Sequence, residues 1–545
     1  MLPSSTNAVK SRPYEQSPIT QSTNDIEWLQ WIYMNIFEGV FGSWLGNYSC
    51  PFHKNGMQDQ QDPTLSVSIA SLCYECDQWM KRVQGEESQI QLEDAASPRE
   101  TEYDQQINRS LLQAICAFSA RWLLLKDNSE LSLNASSMDR IDDLWRTVRR
   151  DTLRVMNRPC YRSALTLFIF ASTPIPAGIS EEEESDGVPA QVCVQAALQQ
   201  VLNLRALQRS IEFNGSKVSP IPRSSNSITS GTPVTNSFLG VESMIYWAAM
   251  TFDTSSSLTL NTKSLLSPGL NLGMESESPW RLAQTCTNIF HQETENWRAH
   301  GVYITEEIAN QIIASAASYK LFIWKSAAVV KEALREGLEE EVVQKVFSTA
   351  VDAVEQFSLT YRELLAGCER RIQFFGHDTK LRWYEVVLHY NLSILIMLNA
   401  IEIAERTDLM EKMTVVKASA EGTLLNCLIF GLNNQFHIPL FNNELRETQE
   451  MEDGEQQGST RSVPLIAIDP YPHHVVAAVR ILWKAVERDL ENDCLDEKVA
   501  EKTQGILLDT LTLLPQASKS VNMARQQAEA SFLGRQHNVE SQVPN

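Results

Sequence analysis

Two cysteines three positions apart, Cys73 and Cys76 in the tetrapeptide CYEC, have the spacing of half a zinc site. A complete site needs two more cysteine or histidine ligands at close spacing, and none lies nearby in the sequence. Leu72 and Trp79 place the pair on the apolar side of an amphipathic helix, and a redox-active pair would follow a strand. We therefore expect two core thiols that hold no metal.

Two adjacent histidines, His473 and His474, open a predicted helix in the segment DPYPHHVVAAVRILWKA. Adjacent side chains on a helix point in different directions, so the two rings cannot easily bind one metal ion. The pattern favours a structural role for this pair.

Clustered aspartates in a helical chain raise the hypothesis of an isoprenoid cyclase, whose carboxylates hold Mg²⁺ against a diphosphate. The segment DRIDDLW (139–145) lacks the DDxxD spacing. The segment NDCLD (492–496) resembles the second metal motif of these enzymes, yet Ala500 stands where that motif has Glu. The sequence contains no Gly-rich phosphate loop, HExxH or GxSxG motif. We predict no catalytic, metal-binding or cofactor-binding residue, and a metal-dependent enzyme of the cyclase type is the alternative function.

The composition limits the partners of the chain. It has 545 residues, of which 43% are hydrophobic and 21% charged, as in globular proteins. Its 46 Lys and Arg residues stand against 68 Asp and Glu residues, which gives a net charge of -22. Nucleic acids and anionic membrane surfaces are bound by clusters of cations. We therefore expect this chain to contact neither directly.

Three further features concern the compartment. The N-terminal residues are polar and lack the apolar stretch of a secretory signal. The most apolar segment (386–403) contains His389, Asn391 and Asn399, which we expect to make it too polar to span a bilayer. The ten cysteines are scattered, as reduced thiols would be. These features favour an intracellular protein.

Helical periodicity dominates the chain. The central stretch (239–260) repeats apolar residues at helical spacing and lies between two polar loops, so it is predicted to cross the middle of the core. Two long helices joined at Gly337 are predicted to form an antiparallel hairpin, and residues 380–404 are apolar almost all round. We predict an all-α fold, a large irregular helical domain of long antiparallel helices.

The chain is predicted to contain one folded domain, residues 25–515. A disordered N-terminus (1–24) precedes it and a polar C-terminal tail (516–545) follows it. The acidic run 181–186 is expected to be a solvated loop. Soft loops are predicted near residues 84–103, 174–190, 214–237 and 447–463.

Four segments share their residue types with one known family. MIYWAAMTFDTSSSLTLNTKSLLSPG (244–269) combines an apolar helix, an Asp, small hydroxyl residues and a short loop. Taken with three other segments, it resembles the middle homology region of fungal zinc-cluster transcription factors. The other three segments are FGSWLGNYSCPFH (41–53), which we call the entry segment, WYEVVLHYNLSILIMLNAIEIAER (383–406) and DPYPHHVVAAVRILWKAVERD (469–489). The entry segment is similar to the start of this domain in regulators such as that of the fungal ethanol-utilisation pathway.

The resemblance covers most of residues 25–515 and implies a regulatory domain that acts in transcription in the nucleus. It implies other transcription proteins, a second copy of the chain, or a small-molecule effector as partners. The family reads DNA through a six-cysteine cluster of the form CxxCRxxKxKC, and this sequence has no such motif. We therefore expect a regulatory domain that makes no nucleic-acid contact of its own.

An effector pocket would draw on polar groups inside the core. Asp253, Trp383 and His389 are the candidates for it. The alternative is that these three are core residues whose hydrogen bonds are satisfied within the protein.

Overall fold

The structure is a computed structural model that describes residues 23–46, 48–52, 67–88, 98–126, 135–215, 236–259, 262–266, 278–440 and 460–542. Helices make up most of this part of the chain, with two short strands, and the predicted all-α fold is confirmed. The first ten helices are α1 (Thr23–Ile32), α2 (Glu38–Phe41), α3 (Ile69–Ser88), α4 (Pro98–Ser119), α5 (Leu123–Lys126), α6 (Ala135–Met156), α7 (Tyr161–Ala171), α8 (Glu181–Ser185), α9 (Ala190–Gly215) and α10 (Asn236–Thr259).

The second half of the chain supplies the longest helices. Two antiparallel strands, β1 (Gln435–Pro439) and β2 (Thr460–Pro464), pair within it. Its helices are α11 (Ser278–Glu293), α12 (Glu295–His300), α13 (Glu306–Arg335), α14 (Glu340–Arg371), α15 (His377–Ile403), α16 (Thr407–Glu411), α17 (Thr414–Asn433), α18 (Pro472–Glu491), α19 (Glu497–Leu513) and α20 (Lys519–Gln542).

The predicted helical hairpin is present as α13 and α14. The Thr305 hydroxyl caps α13 by accepting a hydrogen bond from the backbone N–H of Ile308. Gly337 lies between the helices with φ of 62°, a backbone conformation that costs glycine little. The apolar faces of α13 pack against α14 and α15, so α13 is buried over most of its length.

Helix α15 lies in the interior, as its composition predicts. Its length and hydropathy would let it cross a membrane, contrary to the expectation from its polar residues. In this fold 67% of its apolar window is buried among other helices. Helix α17 also has the required length and hydropathy, with 28% of its window buried.

Several connections differ from the prediction. Part of the acidic run 181–186 forms α8, because Ser180 caps the helix and Glu183 pairs with Arg146. The predicted polar tail contains α20, which packs against α18 and α19 through small apolar residues. The β1–β2 pair is not among the predicted elements, although Gln435 and His437 of β1 alternate with the buried Phe436 and Ile438 over this short stretch. The predicted disordered N-terminus up to residue 22, and residues 89–97, 216–235 and 447–459 of the predicted loops, lie outside the described residues.

Hydrogen bonds tie the first helices to segments far along the chain. The indole of Trp28 donates to the carbonyl of Pro439 at 3.1 Å, and the indole of Trp122 donates to the carbonyl of Ala467 at 3.1 Å. Arg461 on β2 donates to a carbonyl at the end of α5. One continuous hydrophobic core includes residues from α1 to α20.

Candidate functional site

A cavity of about 350 Å³ lies among helices α10, α13, α15 and α18. Trp44, in the turn after α2, borders it on one side, and the connection after α7 borders it on another. The wall formed by α13, α15 and α18 is buried except at His473, whereas the serines and threonines of α10 that line the cavity are partly exposed. The volume falls within the range of small-molecule sites in proteins.

The buried wall carries three nitrogen-containing side chains in a row. Nζ of Lys320 on α13 lies 3.3 Å from Nδ1 of His389 on α15. Nε2 of His389 lies 2.9 Å from Nδ1 of His474 on α18. The indole of Trp324 donates to the backbone carbonyl of His389 at 2.8 Å and fixes the helix beside the rings. The arrangement joins three helices through buried polar groups.

The direction of these hydrogen bonds follows from the lysine. While Lys320 is charged its ammonium only donates, so Nδ1 of His389 accepts and the hydrogen of this neutral ring lies on Nε2. That N–H faces both Nδ1 of His474 and Oε2 of Glu385, and where it donates to His474 the hydrogen of the second ring lies on its own Nε2. Burial lowers the pKa of both His389 and His474 well below the usual value, which keeps both rings neutral. In that arrangement the series ends in the Nε2–H of His474.

Three polar atoms on side chains that border the cavity have no hydrogen-bond partner among the described residues. They are Nε1 of Trp44, Nε2 of His474 and the hydroxyl oxygen of Tyr471. All three side chains are at least nine-tenths buried. A buried polar group without a partner costs about 1–3 kcal/mol, so a ligand in the cavity that reaches these atoms would gain by supplying the missing bonds.

Two carboxyl groups lie beside the rings, although neither borders the cavity. Oε2 of Glu385 is 3.2 Å from Nε2 of His389, and burial together with the charge of Asp469 raises the pKa of Glu385 well above its usual value. Asp469 accepts hydrogen bonds from the Tyr384 hydroxyl at 3.0 Å and from the backbone N–H of Tyr471 at 2.6 Å. Burial raises the pKa of Asp469 to about 6, so at neutral pH Asp469 is the charged member of the pair.

Two cations border the cavity. Arg121 donates to the backbone carbonyls of Phe118, Pro470 and Ser172, and burial lowers its pKa to about 9. Nζ of Lys320 lies 3.7 Å from the ring centroid of Trp44, and burial lowers the pKa of this lysine to about 7.

The pKa values of these buried groups determine the charge of the site at neutral pH. Arg121 is charged and is balanced by Asp469, whereas Lys320 adds a partial positive charge that Glu385, holding its proton, does not cancel. His473 also borders the cavity and is an exposed residue. The cavity wall is therefore positive within a strongly acidic chain.

The three residues predicted to form an effector pocket lie in different places. His389 borders the cavity. The carboxylate of Asp253 accepts from the hydroxyl of Ser264 at 2.6 Å and from two backbone N–H groups at 3.0 Å, so it fixes the loop that follows α10. The indole of Trp383 donates to the carbonyl of Leu365 at 3.3 Å. Asp253 and Trp383 match the alternative interpretation, that of satisfied core residues.

Trp383 borders a second cavity, of about 360 Å³, between α14, α15 and α17. Val415, which is 84% exposed, lies at its edge, so this cavity opens to the surface. Arg362 and Glu369 give it one charge of each sign. The wall of the first cavity is more buried and carries the unpartnered polar atoms, which makes it the better candidate site.

The sequence did not point to Lys320, Tyr471 or Arg121, and it assigned His474 a structural role. A signal for Lys320 was nevertheless available, because this charged residue stands in the middle of the apolar segment SYKLFIW. A charge inside an apolar helix is expensive unless it has a purpose or a partner.

The cysteine and aspartate motifs considered for metal binding do not border the cavity. Cys73 and Cys76 are buried on α3, and burial raises the pKa of both thiols. Asp496 caps α19 by accepting from the backbone N–H of Lys498 at 3.0 Å. Among the residues that the structure describes, no group of three or more His, Cys, Asp or Glu side chains could hold a metal ion.

Comparisons of the chain with models of protein families, with curated proteins and with solved structures gave no match. The function is therefore argued from the site and from the sequence segments that surround it. Chemically, the cavity can hold a small molecule by hydrogen bonds to its buried wall and by apolar contacts elsewhere.

Proposed function

We propose that this chain is the regulatory domain of a transcription regulator, controlled by a small molecule that binds in the cavity between α10, α13, α15 and α18. The observation that carries the proposal is the cavity itself, with unpartnered polar atoms of Tyr471 and His474 on its buried wall. A protein that only needed a stable core would fill this space or satisfy these atoms.

The segments that resemble the fungal regulatory domain support the proposal, because all four contribute to this cavity. The entry segment supplies Trp44, and the central segment supplies Phe252 from α10. The two later segments supply His389 from α15 and His474 from α18. A ligand bound here would touch helices that are far apart in sequence, and ligand contacts of that kind can shift a conformational equilibrium.

The proposal places the protein in the nucleus, where it would act through other transcription proteins or through a second copy of itself. The net charge of -22 is unfavourable for contact with a DNA duplex. Recognition of DNA would therefore belong to another protein or to another part of the regulator.

The alternative, a metal-dependent cyclase, has less support. Such an enzyme needs several carboxylates that converge on a cavity. Asp143 instead faces Arg146 on the surface of α6, and Asp496 caps a helix. In the part of the chain that the structure describes, neither cavity is bordered by an aspartate.

A tethering experiment tests the regulatory function. The chain would be fused to an unrelated DNA-binding domain whose site lies upstream of a reporter gene in fungal cells. We expect reporter transcription to differ from that with the DNA-binding domain alone. The same chain with Trp44→Ala and Tyr471→Phe should respond differently to growth conditions, because both changes alter the cavity. Identical transcription with and without the chain, at equal protein levels and under all conditions, would refute the proposal.

A further inference from the structure

We propose that the cavity takes a small amphipathic anion, namely a monocarboxylate with an apolar body, whose carboxylate binds beside Lys320, Tyr471 and His474. The inference rests on the proposed function only for the role of this ligand as an effector. The site itself follows from the donors, the charges and the shape of the cavity.

The unpartnered polar atoms beside the cavity can serve as donors. Nε2 of His474 lies at the end of the series Lys320–His389–His474 and donates in the tautomer that carries its hydrogen on Nε2. The hydroxyl of Tyr471 also has no partner in the described part of the chain, and its ring stacks against that of His474 with 5.5 Å between the centroids. Two neighbouring donors match the two oxygens of one carboxylate.

The charges at the cavity exclude a cationic ligand. The described residues that border it include Lys320 and Arg121 but no Asp or Glu, in a chain that has 68 acidic residues. The Lys320 ammonium uses one hydrogen bond on His389 and retains others for a ligand. An anion would offset the cost of burying this cation, and a second cation would add to that cost.

The remainder of the wall selects an apolar body. Besides Tyr471, four aromatic side chains border the cavity, those of Phe41, Trp44, Phe252 and Trp324. Trp44 lies between the polar and the apolar parts, because its ring faces Nζ of Lys320 and stacks on Tyr471 with 5.9 Å between the centroids. A volume of about 350 Å³ equals that of about a dozen liquid water molecules at roughly 30 Å³ each. A ligand made of a ring system and one short carboxylate arm fits this volume, and it has the same division into an apolar part and a polar part.

The class of ligand can be tested on the purified full chain with three probes of one shape. The probes are 2-naphthylacetate, its neutral amide, and 2-(2-naphthyl)ethylamine, with binding measured by calorimetry at pH 6.5. We expect the carboxylate to bind at least about tenfold more tightly than the amide, because charge-assisted hydrogen bonds are the stronger ones. The amine should bind most weakly. Equal affinity for the three probes, or a preference for the amine, would overturn the proposal.

Variants locate the site. Lys320→Met should weaken binding of the carboxylate at least about tenfold and change binding of the amide much less. Tyr471→Phe removes one donor but keeps the ring, so it provides a second test if the lysine variant folds poorly. Tyr390→Phe is the matched control, because Tyr390 borders the second cavity. Weakening by Tyr390→Phe alone would place the ligand in the second cavity and refute this site.

The binding experiment and the tethering experiment can fail independently of each other. If the carboxylate binds as described while the tethered chain leaves transcription unchanged, the ligand site is supported and the regulatory function is refuted. If transcription responds while the purified chain shows no preference for the carboxylate, the ligand class is refuted and the regulatory function is supported.

Discussion

Replacement of Lys320 by methionine should stabilise the protein in mild acid and destabilise it in mild base. Lys320 is only 3% exposed, and burial lowers its pKa from 10.5 to about 7. The unfolded chain therefore binds more protons than the folded protein between these two values, so stability rises with pH across this interval. Below pH 7 the full cost of the buried charge is present. Methionine has a similar length and carries no charge.

The size of the effect follows from the pKa values. Each pKa unit corresponds to about 1.4 kcal/mol, so the buried lysine costs about 5 kcal/mol at pH 6 and about 2 kcal/mol at pH 9. The variant loses the hydrogen bond to Nδ1 of His389 and leaves that atom unpartnered, which together cost about 3 kcal/mol. The Lys320→Met protein should therefore be about 2 kcal/mol more stable than the parent at pH 6 and about 1 kcal/mol less stable at pH 9.

Urea denaturation of both proteins at the two pH values measures the difference. Lys345→Met is the matched control, because Lys345 is exposed on α14 and its replacement should change the free energy of unfolding little at either pH. A loss of stability of equal size at pH 6 and pH 9 would refute the reasoning, since it would mean that Lys320 bears no cost of a buried charge.

Three further predictions concern other parts of the molecule. The carboxylate of Asp77 accepts from the backbone N–H of Tyr161 at 2.8 Å and from Nε of buried Arg162 at 2.7 Å, so Asp77→Ala should lower the free energy of unfolding by about 3–5 kcal/mol. Asp77→Asn should cost less in the same urea assay, and equal losses would contradict this account. Of the ten cysteines only Cys286 and Cys494 are exposed, so Ellman's reagent should react quickly with two thiols in the native protein and with ten in urea; fast reaction of a buried thiol would count against the fold. Affinity for 2-naphthylacetate should fall between pH 6 and pH 9 as the lysine in the cavity loses its proton, and calorimetry that found constant affinity would contradict that role.

The helices could be predicted because their evidence is local. The central stretch repeats apolar residues at helical spacing, and Met244, Ile245 and Ala248 of that stripe are buried on α10. The hairpin of α13 and α14 followed from Thr305 at one end and Gly337 at the other. The strands β1 and β2 were missed because each is five residues long, and their pairing depends on the fold around them.

The site could be predicted only in part, because it depends on contacts between distant residues. His389 was selected as a polar residue in an apolar helix, and it borders the cavity. Its partners lie 69 positions before it and 85 positions after it, and local spacing carries no information about them. Asp253 was selected on the same grounds, yet a loop only 11 to 13 positions away satisfies its carboxylate. A buried polar residue can serve a loop or a ligand, and only the fold distinguishes the two.

The cavity wall runs from Phe41 near one end of the chain to Ser520 near the other, and this has a consequence for biosynthesis. A ribosome releases the chain from its N-terminus, and helices α1 to α10 emerge long before α18 does. Until Tyr471 and His474 have emerged, the early helices lack the groups that close one side of the cavity. A nascent chain that stops before these residues therefore lacks the complete proposed ligand site, whatever helical structure it has already formed.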